Sequence, residues 1–322
     1  MALLEIRALR VEIPTRWGRL VALDDVSLDM APGEILGVVG ESGAGKSMTG
    51  SAVLKLLPSP ARIAAGEVRL EGERIDTLSE AGMRRVRGRR IGAIFQDPLT
   101  SLNPLFRIGD QLEETMLAHL DIDAAEARQR AVRLLREVGI PAPEERMKAY
   151  PHQLSGGMRQ RVVIALALCA EPKVIVADEP TTALDVSIQA QIVAVLNRLC
   201  RQHGTAVMLI THDMGVIAET ADRVAVMYAG RVVETGPVDD VIQRPRHPYT
   251  KGLMAAIPRM AASGQRMQSI PGAMPGLAAI PRGCAFHPRC AMAVASCAER
   301  VPDLAGSGVH RTACALVAEF AA

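Results

Sequence analysis

Val38-Val39-Gly40-Glu41-Ser42-Gly43-Ala44-Gly45-Lys46-Ser47 is the stretch that decides how the chain is read. It follows an apolar run, Glu34–Val39, of buried-strand length, and it precedes Met48–Leu57, which reads as a helix stopping before Pro58. Strand, glycine loop and helix form the context of a phosphate-binding loop, G-x-x-x-x-G-K-[ST], with Gly40, Gly45, Lys46 and Ser47 at the fixed positions of the pattern. The glycines, Gly43 among them, let the backbone curl so that its N–H groups and those flanking Ser42 face phosphate oxygens. The helix N-terminus adds partial positive charge. Lys46 is expected to reach the β- and γ-phosphates and Ser47 to hold Mg2+. The plainer reading, a glycine-rich turn with a surface lysine, fails to explain the acidic and histidine-bearing strand ends found downstream.

Bulk properties set the frame. The 322 residues suffice for two domains. A hydrophobic share of 49% against 22% charged marks a globular chain, and an aromatic share of 2% requires an aliphatic core. A net charge of +2 gives no reason to expect nucleic acid as a partner. No run of apolar residues is long enough to span a bilayer, and the N-terminus lacks a signal peptide, so a cytoplasmic location is expected. In that compartment the six cysteines are expected as buried thiols or metal ligands rather than disulfides.

Leu3–Ile13 and Ala22–Met30 read as strands around a polar loop holding Trp17, the only tryptophan. Trp17 could stack on a purine ring or pack under a sheet edge; its residue type allows both. Gly66–Ile75 alternates like a strand with a turn at Gly72, and Ile91–Phe95 is a buried strand with Gln96 at its end. A glutamine so placed could coordinate Mg2+ and orient water. Residues 108 to 168 read as predominantly helical, with Ala124–Val138 clearly amphipathic. Ser155 is an N-cap, and Gly156 and Gly157 leave backbone N–H groups bare, a second anion site at a helix start. Lys173–Ala177 is a buried strand ending in Asp178-Glu179, at the edge where parallel sheets bind ligands. Asp178 suits a contact to Mg2+, directly or through a ligand, and Glu179 suits polarising a water. Leu184-Asp185 and the helix Ser187–Gln202 follow, then the strand Ala206–Ile210 ending near His212. Val224–Met227 and Arg231–Glu234 form a hairpin, and after Pro237 proline and glycine become dense.

Together these residues resemble the ATP-binding subunit of an ABC transporter over residues 3–236. Leu154-Ser-Gly-Gly-Met-Arg-Gln160 ahead of Val-Ile-Val-Ala-Asp-Glu179 carries that resemblance far more specifically than the phosphate loop does. It implies an α/β P-loop NTPase with a mixed core sheet, an antiparallel β subdomain and a helical subdomain over about 97–170. It also implies an ABC ATPase domain over 1–236. ATP with Mg2+ would be sandwiched head-to-tail between two ATPase subunits, identical or sister, with Ser155, Gly156 and Gly157 facing the partner's nucleotide. Gln96 becomes the Q-loop residue, Asp185 the D-loop residue, His212 the switch histidine, and Trp17 the aromatic that stacks on adenine. Phe95-Gln-Asp-Pro-Leu-Thr-Ser-Leu-Asn-Pro104 and His247-Pro-Tyr-Thr-Lys251 resemble the dipeptide and oligopeptide permease branch. That implies hydrolysis driving peptide uptake, two transmembrane permease subunits, an extracytoplasmic binding protein acting indirectly, and a peripheral place on the cytoplasmic face of the inner membrane. Nickel, glutathione and other small solutes are alternative cargoes of the same ATPase type. A soluble ABC ATPase acting on DNA or the ribosome is a different class. It would carry large insertions or two ATPase domains, and neither occurs. A nucleotide sensor would not need both Glu179 and His212.

The remaining segment, 237–322, is expected as a small Pro/Cys-rich domain. Its cysteines, Cys284, Cys290, Cys297 and Cys314, are spaced C-x5-C-x6-C-x16-C. A loop-rich tail that buries little apolar surface needs a staple. Tetrahedral Zn2+ and a [4Fe–4S] cluster both take four thiolates. Structural zinc favours close Cys pairs, absent here, whereas wider gaps suit the larger cubane. Members of the resembled branch with a [4Fe–4S] cluster point the same way.

Overall fold

The computed structural model describes residues 2–181, 185–256, 270–306 and 308–318. Residues 257–269 of the proline- and glycine-rich stretch, and Leu184, lie outside it. The strands are β1 (Leu4–Thr15), β2 (Gly18–Met30), β3 (Ile35–Val39), β4 (Arg62–Leu70), β5 (Glu73–Arg74), β6 (Ile91–Ile94), β7 (Val174–Asp178), β8 (Ala206–Thr211), β9 (Arg223–Tyr228), β10 (Arg231–Pro237) and β11 (Arg311–Thr312). By contacts the chain divides into one unit of Met1–Leu3, Met30–Ile35 and Thr77–Leu209, and another of Leu4–Asp29, Leu36–Asp76 and Ile210–Ala322.

In the first unit β6 and β7 run parallel, Ile91 opposite Val174 and Ile94 opposite Ala177. Their apolar runs are buried on both faces, as a sheet covered by helices requires. The helices Ile108–His119, Ala124–Glu137, Gly156–Leu168 and Val186–His203 are the longest of this unit. Ala124–Glu137 follows its amphipathic pattern. Ala127, Ala131, Leu134 and Leu135 are buried, and the Asp123 side chain caps the start by accepting from the Glu126 N–H at 2.8 Å. Such a cap contributes about 1 kcal/mol.

In the second unit β2-β1-β4-β5 form a four-stranded sheet, with β1 antiparallel to β4. Leu4 and Ile6 are buried, then Leu9 and Val11. The phase changes at Ala8, whose φ of 46° marks an extra residue in the strand where the pairing register slips. Without that bulge, alternation would turn Leu9 and Val11 to solvent. This unit also holds the neighbouring strands β11-β10-β9-β3 with mixed pairing: β3 pairs parallel with β9, and β10 pairs antiparallel with β9 and β11. All five residues of β3 are buried.

The helix expected over Met48–Leu57 is Lys46–Val53 instead. It ends in a Schellman-type closure: Lys55 takes a φ of 52°, and its N–H donates to Ala52 O while the Leu56 N–H donates to Ser51 O. The closure uses lysine where glycine is usual, so the stop carries no glycine signal. β4 also begins at Arg62, ahead of the expected Gly66.

Candidate functional site

The phosphate-binding pattern is folded as the sequence requires. Gly40 (φ 153°) and Gly45 (φ 104°) both hold conformations that disfavour side chains. A Cβ on Gly40 would lie 2.3 Å from Met227 O, and one on Gly45 2.8 Å from Leu23 Cδ2. Gly45 is the N-cap of the helix Lys46–Val53 and offers no side chain to its first N–H groups. A helix start without a side-chain cap is the arrangement an anion site uses. Ser42, Gly43 and Ser47 are exposed. Lys46 is only 5% exposed. Its Nζ donates to Gly40 O at 2.8 Å and to Glu41 O at 3.0 Å, so the ammonium lies inside the loop.

Glu41 is itself held by residues from the far end of the sequence. Its backbone N–H donates to Tyr249 Oη at 2.8 Å. Its carboxylate takes both arms of Arg289, at 2.7 and 3.0 Å. Burial pushes the Tyr249 phenol above its ordinary range, and the Glu41 carboxylate holds the Arg289 guanidinium firmly protonated. Sequence reading had no means of finding this contact, because Glu41 occupies a variable position of the loop pattern.

Also in the second unit, Thr211 ends β8 buried, and the next residue, His212, is exposed. Asp213 turns the chain there: its Oδ1 accepts from Gly215 N–H at 2.7 Å and Val216 N–H at 3.3 Å, starting the helix Met214–Thr220. His212 is thus fixed between a buried strand end and a capped helix. Trp17 stands in the two-residue turn between β1 and β2 and is 93% exposed, so it does not pack beneath a sheet edge.

In the first unit the structure brings Gln96 and Glu179 together, Nε2 donating to Oε2 at 3.2 Å. Asp178 is the last residue of β7, and Glu179 follows with a φ of 47°. A non-glycine residue in this region is strained by about 1 kcal/mol or more, and such strain gathers where side chains are aimed for function. Ser155 caps the helix Gly156–Leu168, accepting from Met158 N–H at 3.3 Å, and Gly156 opens the helix. Gln160, which the sequence marked only as part of the motif, is buried and donates from Nε2 to Pro180 O. It ties the signature helix to the turn after Glu179. Asp185 is exposed at the N-cap of the helix Val186–His203 and makes no side-chain cap.

Three of the four late cysteines, Cys284, Cys297 and Cys314, line one open cavity of about 330 Å³. The Cys284 N–H donates to Cys297 O at 2.8 Å, holding those two segments together. Burial pushes the Cys284 and Cys290 thiols up. Among the described residues, no three His, Cys, Asp or Glu side chains converge on a single metal ion. Cys169 and Cys200 are buried, their thiols pushed up to about 12, as inert core thiols would be.

Residues 23–182 match the ABC transporter family model, and residues 233–297 match the model of the oligopeptide/dipeptide transporter C-terminal region. A putative peptide import ATP-binding protein of Brucella melitensis is 48% identical over 320 residues, covering 96% of this chain and 95% of its own. The oligopeptide transport ATP-binding protein OppD of Bacillus subtilis is 49% identical over 94% of this chain and 85% of its own, and that of Escherichia coli 48% over 94% and 89%. Among solved structures, the dimeric post-hydrolysis state of the ATP-binding cassette MJ0796 with ADP and Pi has a TM-score of 0.65 at 28% identity, covering 73% of this chain and 98% of that one. No described helix is long and apolar enough to cross a membrane. With near-half identity along almost its whole length, the chain belongs to the ATP-binding proteins of ABC transporters, in the oligopeptide/dipeptide (OppD-like) branch.

Proposed function

We propose that this chain hydrolyses ATP to energise uptake of short peptides, working from the cytoplasmic face of the membrane with two permease subunits and a second ATPase subunit. An extracytoplasmic binding protein would select the cargo. Residues 1–236 would form the ATPase domain and 237–322 the branch-specific C-terminal domain; the first family match, 23–182, lies within the former, and the second, 233–297, begins four residues ahead of the boundary.

Each residue takes a defined role. Gly40, Ser42, Gly43, Gly45 and Lys46 cradle the phosphates, and Ser47 and Gln96 hold Mg2+ with support from Asp178. Glu179 orients and activates the attacking water, and His212 contacts the γ-phosphate. Trp17 stacks on adenine, for which its bare indole face is suited. Ser155, Gly156 and Gly157 meet the nucleotide of the partner subunit, with Asp185 beside them. Phosphoryl transfer needs positioning and charge stabilisation more than covalent chemistry, so a carboxylate aimed by a strained backbone is the part that matters most. The observation that carries this reading is Glu179 at φ 47°, hydrogen-bonded to Gln96 at the end of a buried strand. Glu179→Gln should bind MgATP normally, accumulate as an ATP-bound dimer, and lose at least about 100-fold in turnover. Near-normal turnover would reject the assignment.

Residues 97–103 would pass nucleotide-driven closure to the permease. Thr100 and Ser101 hydroxyls both donate to Asp97 O, at 3.0 and 2.9 Å, and Gln111 brackets Asn103. Beyond this braced segment Leu105 is 79% exposed.

Cys284, Cys290, Cys297 and Cys314 would hold a [4Fe–4S] cluster in a structural role. That Cys284, Cys297 and Cys314 line one cavity supports the donor set, although their side chains do not converge on a single ion-sized point as they stand. Such a cluster supplies a covalent staple to a segment with few aliphatic runs. Anaerobic protein should be brown, with broad absorption near ~400 nm. A colourless protein with stoichiometric zinc would replace the cluster by the alternative metal.

A further inference from the structure

We propose that Arg289 is a positioning residue for the phosphate loop: through it, the C-terminal segment grips Glu41 and sets the affinity of the loop for nucleotide. The inference rests on the ATP-binding reading above. Glu41 is the residue after Gly40, and its carboxylate stands beside a loop that must accept a polyanion. Left unpaired, that charge would oppose a polyanion bound by the same loop. Arg289 answers it with a planar fork, Nη1 to Oε2 at 2.7 Å and Nη2 to Oε1 at 3.0 Å. Lysine cannot reproduce that bidentate geometry.

The fork is anchored on its other side. Arg289 Nε donates to Pro271 O at 2.8 Å, and the guanidinium lies 5.8 Å from the Tyr228 ring centre and 6.0 Å from that of Phe286. Its side chain is 8% exposed. The main chain of Glu41 is held too, by the Tyr249 hydroxyl, and Tyr249 is fully buried against Tyr228 and Phe286 at ring separations of 4.8 and 5.4 Å. Glu41 O is in turn one of the two carbonyls that receive Lys46 Nζ. Arg289 therefore fixes Glu41, and Glu41 fixes the resting place of the phosphate-binding lysine. A displacement of the C-terminal segment reaches Lys46 through two bonded contacts.

The plainer alternative is that Arg289 only staples the C-terminal segment, which its bond to Pro271 O would do without Glu41. A double-mutant cycle separates the two. MgATP affinity of the full-length chain would be measured by titration calorimetry for wild type, Arg289→Met, Glu41→Gln and the double variant, with thermal unfolding followed in parallel. Arg289→Met, which leaves Glu41 charged and unpaired, should weaken MgATP binding about tenfold. Adding Glu41→Gln removes the orphaned charge and should recover most of that loss, while the unfolding midpoint stays as low as in Arg289→Met. Arg289→Lys keeps charge and stem but not the fork, and Tyr249→Phe removes only the main-chain contact; each should weaken binding about threefold, which keeps the test open if Arg289→Met does not fold. Wild-type affinity in these variants, or an Arg289→Met loss as large in the Glu41→Gln background as in the wild-type one, would overturn the grip and leave a staple. A wild-type chain that binds no MgATP would overturn the nucleotide reading, and the grip with it.

Discussion

Acidification should loosen the C-terminal segment before it affects the rest of the fold, and His247 is the reason. His247 is 1% exposed and caps the helix Pro248–Ala255, its Nδ1 accepting from Tyr249 N–H at 3.1 Å. The backbone carbonyl of Ala313 backs the ring, and burial pushes its pKa down from 6.5 to about 4. A proton on Nδ1 would replace that acceptor by a second donor facing an N–H. Because the folded value lies below the unfolded one, the unfolded state takes the proton first as pH falls. The contribution of His247 is complete above pH 6.5, declines between 6.5 and 4, and is exhausted below. At pH 5, 1.5 pH units below 6.5, protonation of the unfolded chain removes about 2 kcal/mol of that contribution. Native-state hydrogen exchange of the helix amides near Lys251 and Ala256, which donate to His247 O and Gly252 O, reads that local opening energy. It should fall by about 2 kcal/mol more between pH 7.5 and 5 in wild type than in His247→Gln, whose amide accepts but does not titrate. Equal pH slopes in the two proteins would refute the argument.

Lys46→Ala should weaken MgATP binding itself, by about 100-fold, since the ammonium is the loop's own countercharge to the phosphates; equilibrium binding checks this. Substitutions in Asp97–Asn103 should abolish peptide uptake in reconstituted transporter while basal ATP hydrolysis persists; loss of ATP binding instead would deny them a coupling role. Cys297→Ser should remove iron and raise protease sensitivity of the C-terminal segment, yet leave nucleotide binding within about threefold of wild type.

The parts legible in sequence were those encoded locally. Gly40 and Gly45 need backbone angles that only glycine adopts readily, and the apolar runs of β3 and β7 must be buried on both faces. Ser155 announces its helix because a cap uses a side chain three residues from its donor. Non-local pairings were not legible. Glu41 and Arg289 lie 248 positions apart, and neither stands at an invariant site of the loop pattern. The end of the helix Lys46–Val53 was missed for a different reason: Lys55 adopts the left-handed closure that is usually signalled by glycine.

Glu234 explains why the C-terminal segment can act on the phosphate loop at all. Its side chain is 0% exposed, an expensive place for a carboxylate unless donors surround it. Arg246 N–H reaches Oε1 at 2.7 Å, His247 N–H reaches Oε2 at 2.9 Å, and His310 Nε2 lies 2.7 Å from Oε1. The backbone at 246–247 therefore has one satisfied position, against β10. From there Pro248 starts the helix and Tyr249 turns inward to meet the N–H of Glu41. Arg246 closes the other side by donating to His310 O at 2.7 Å, so the strand at Arg311–Thr312 is fixed to the same carboxylate. An apolar residue at 234 would fill the volume but leave two backbone N–H groups without acceptors, and the direction of the helix start unspecified. Burying a charge costs stability, but here it defines one geometry for the His247-Pro248-Tyr249 turn, the turn that places Tyr249 on the phosphate loop.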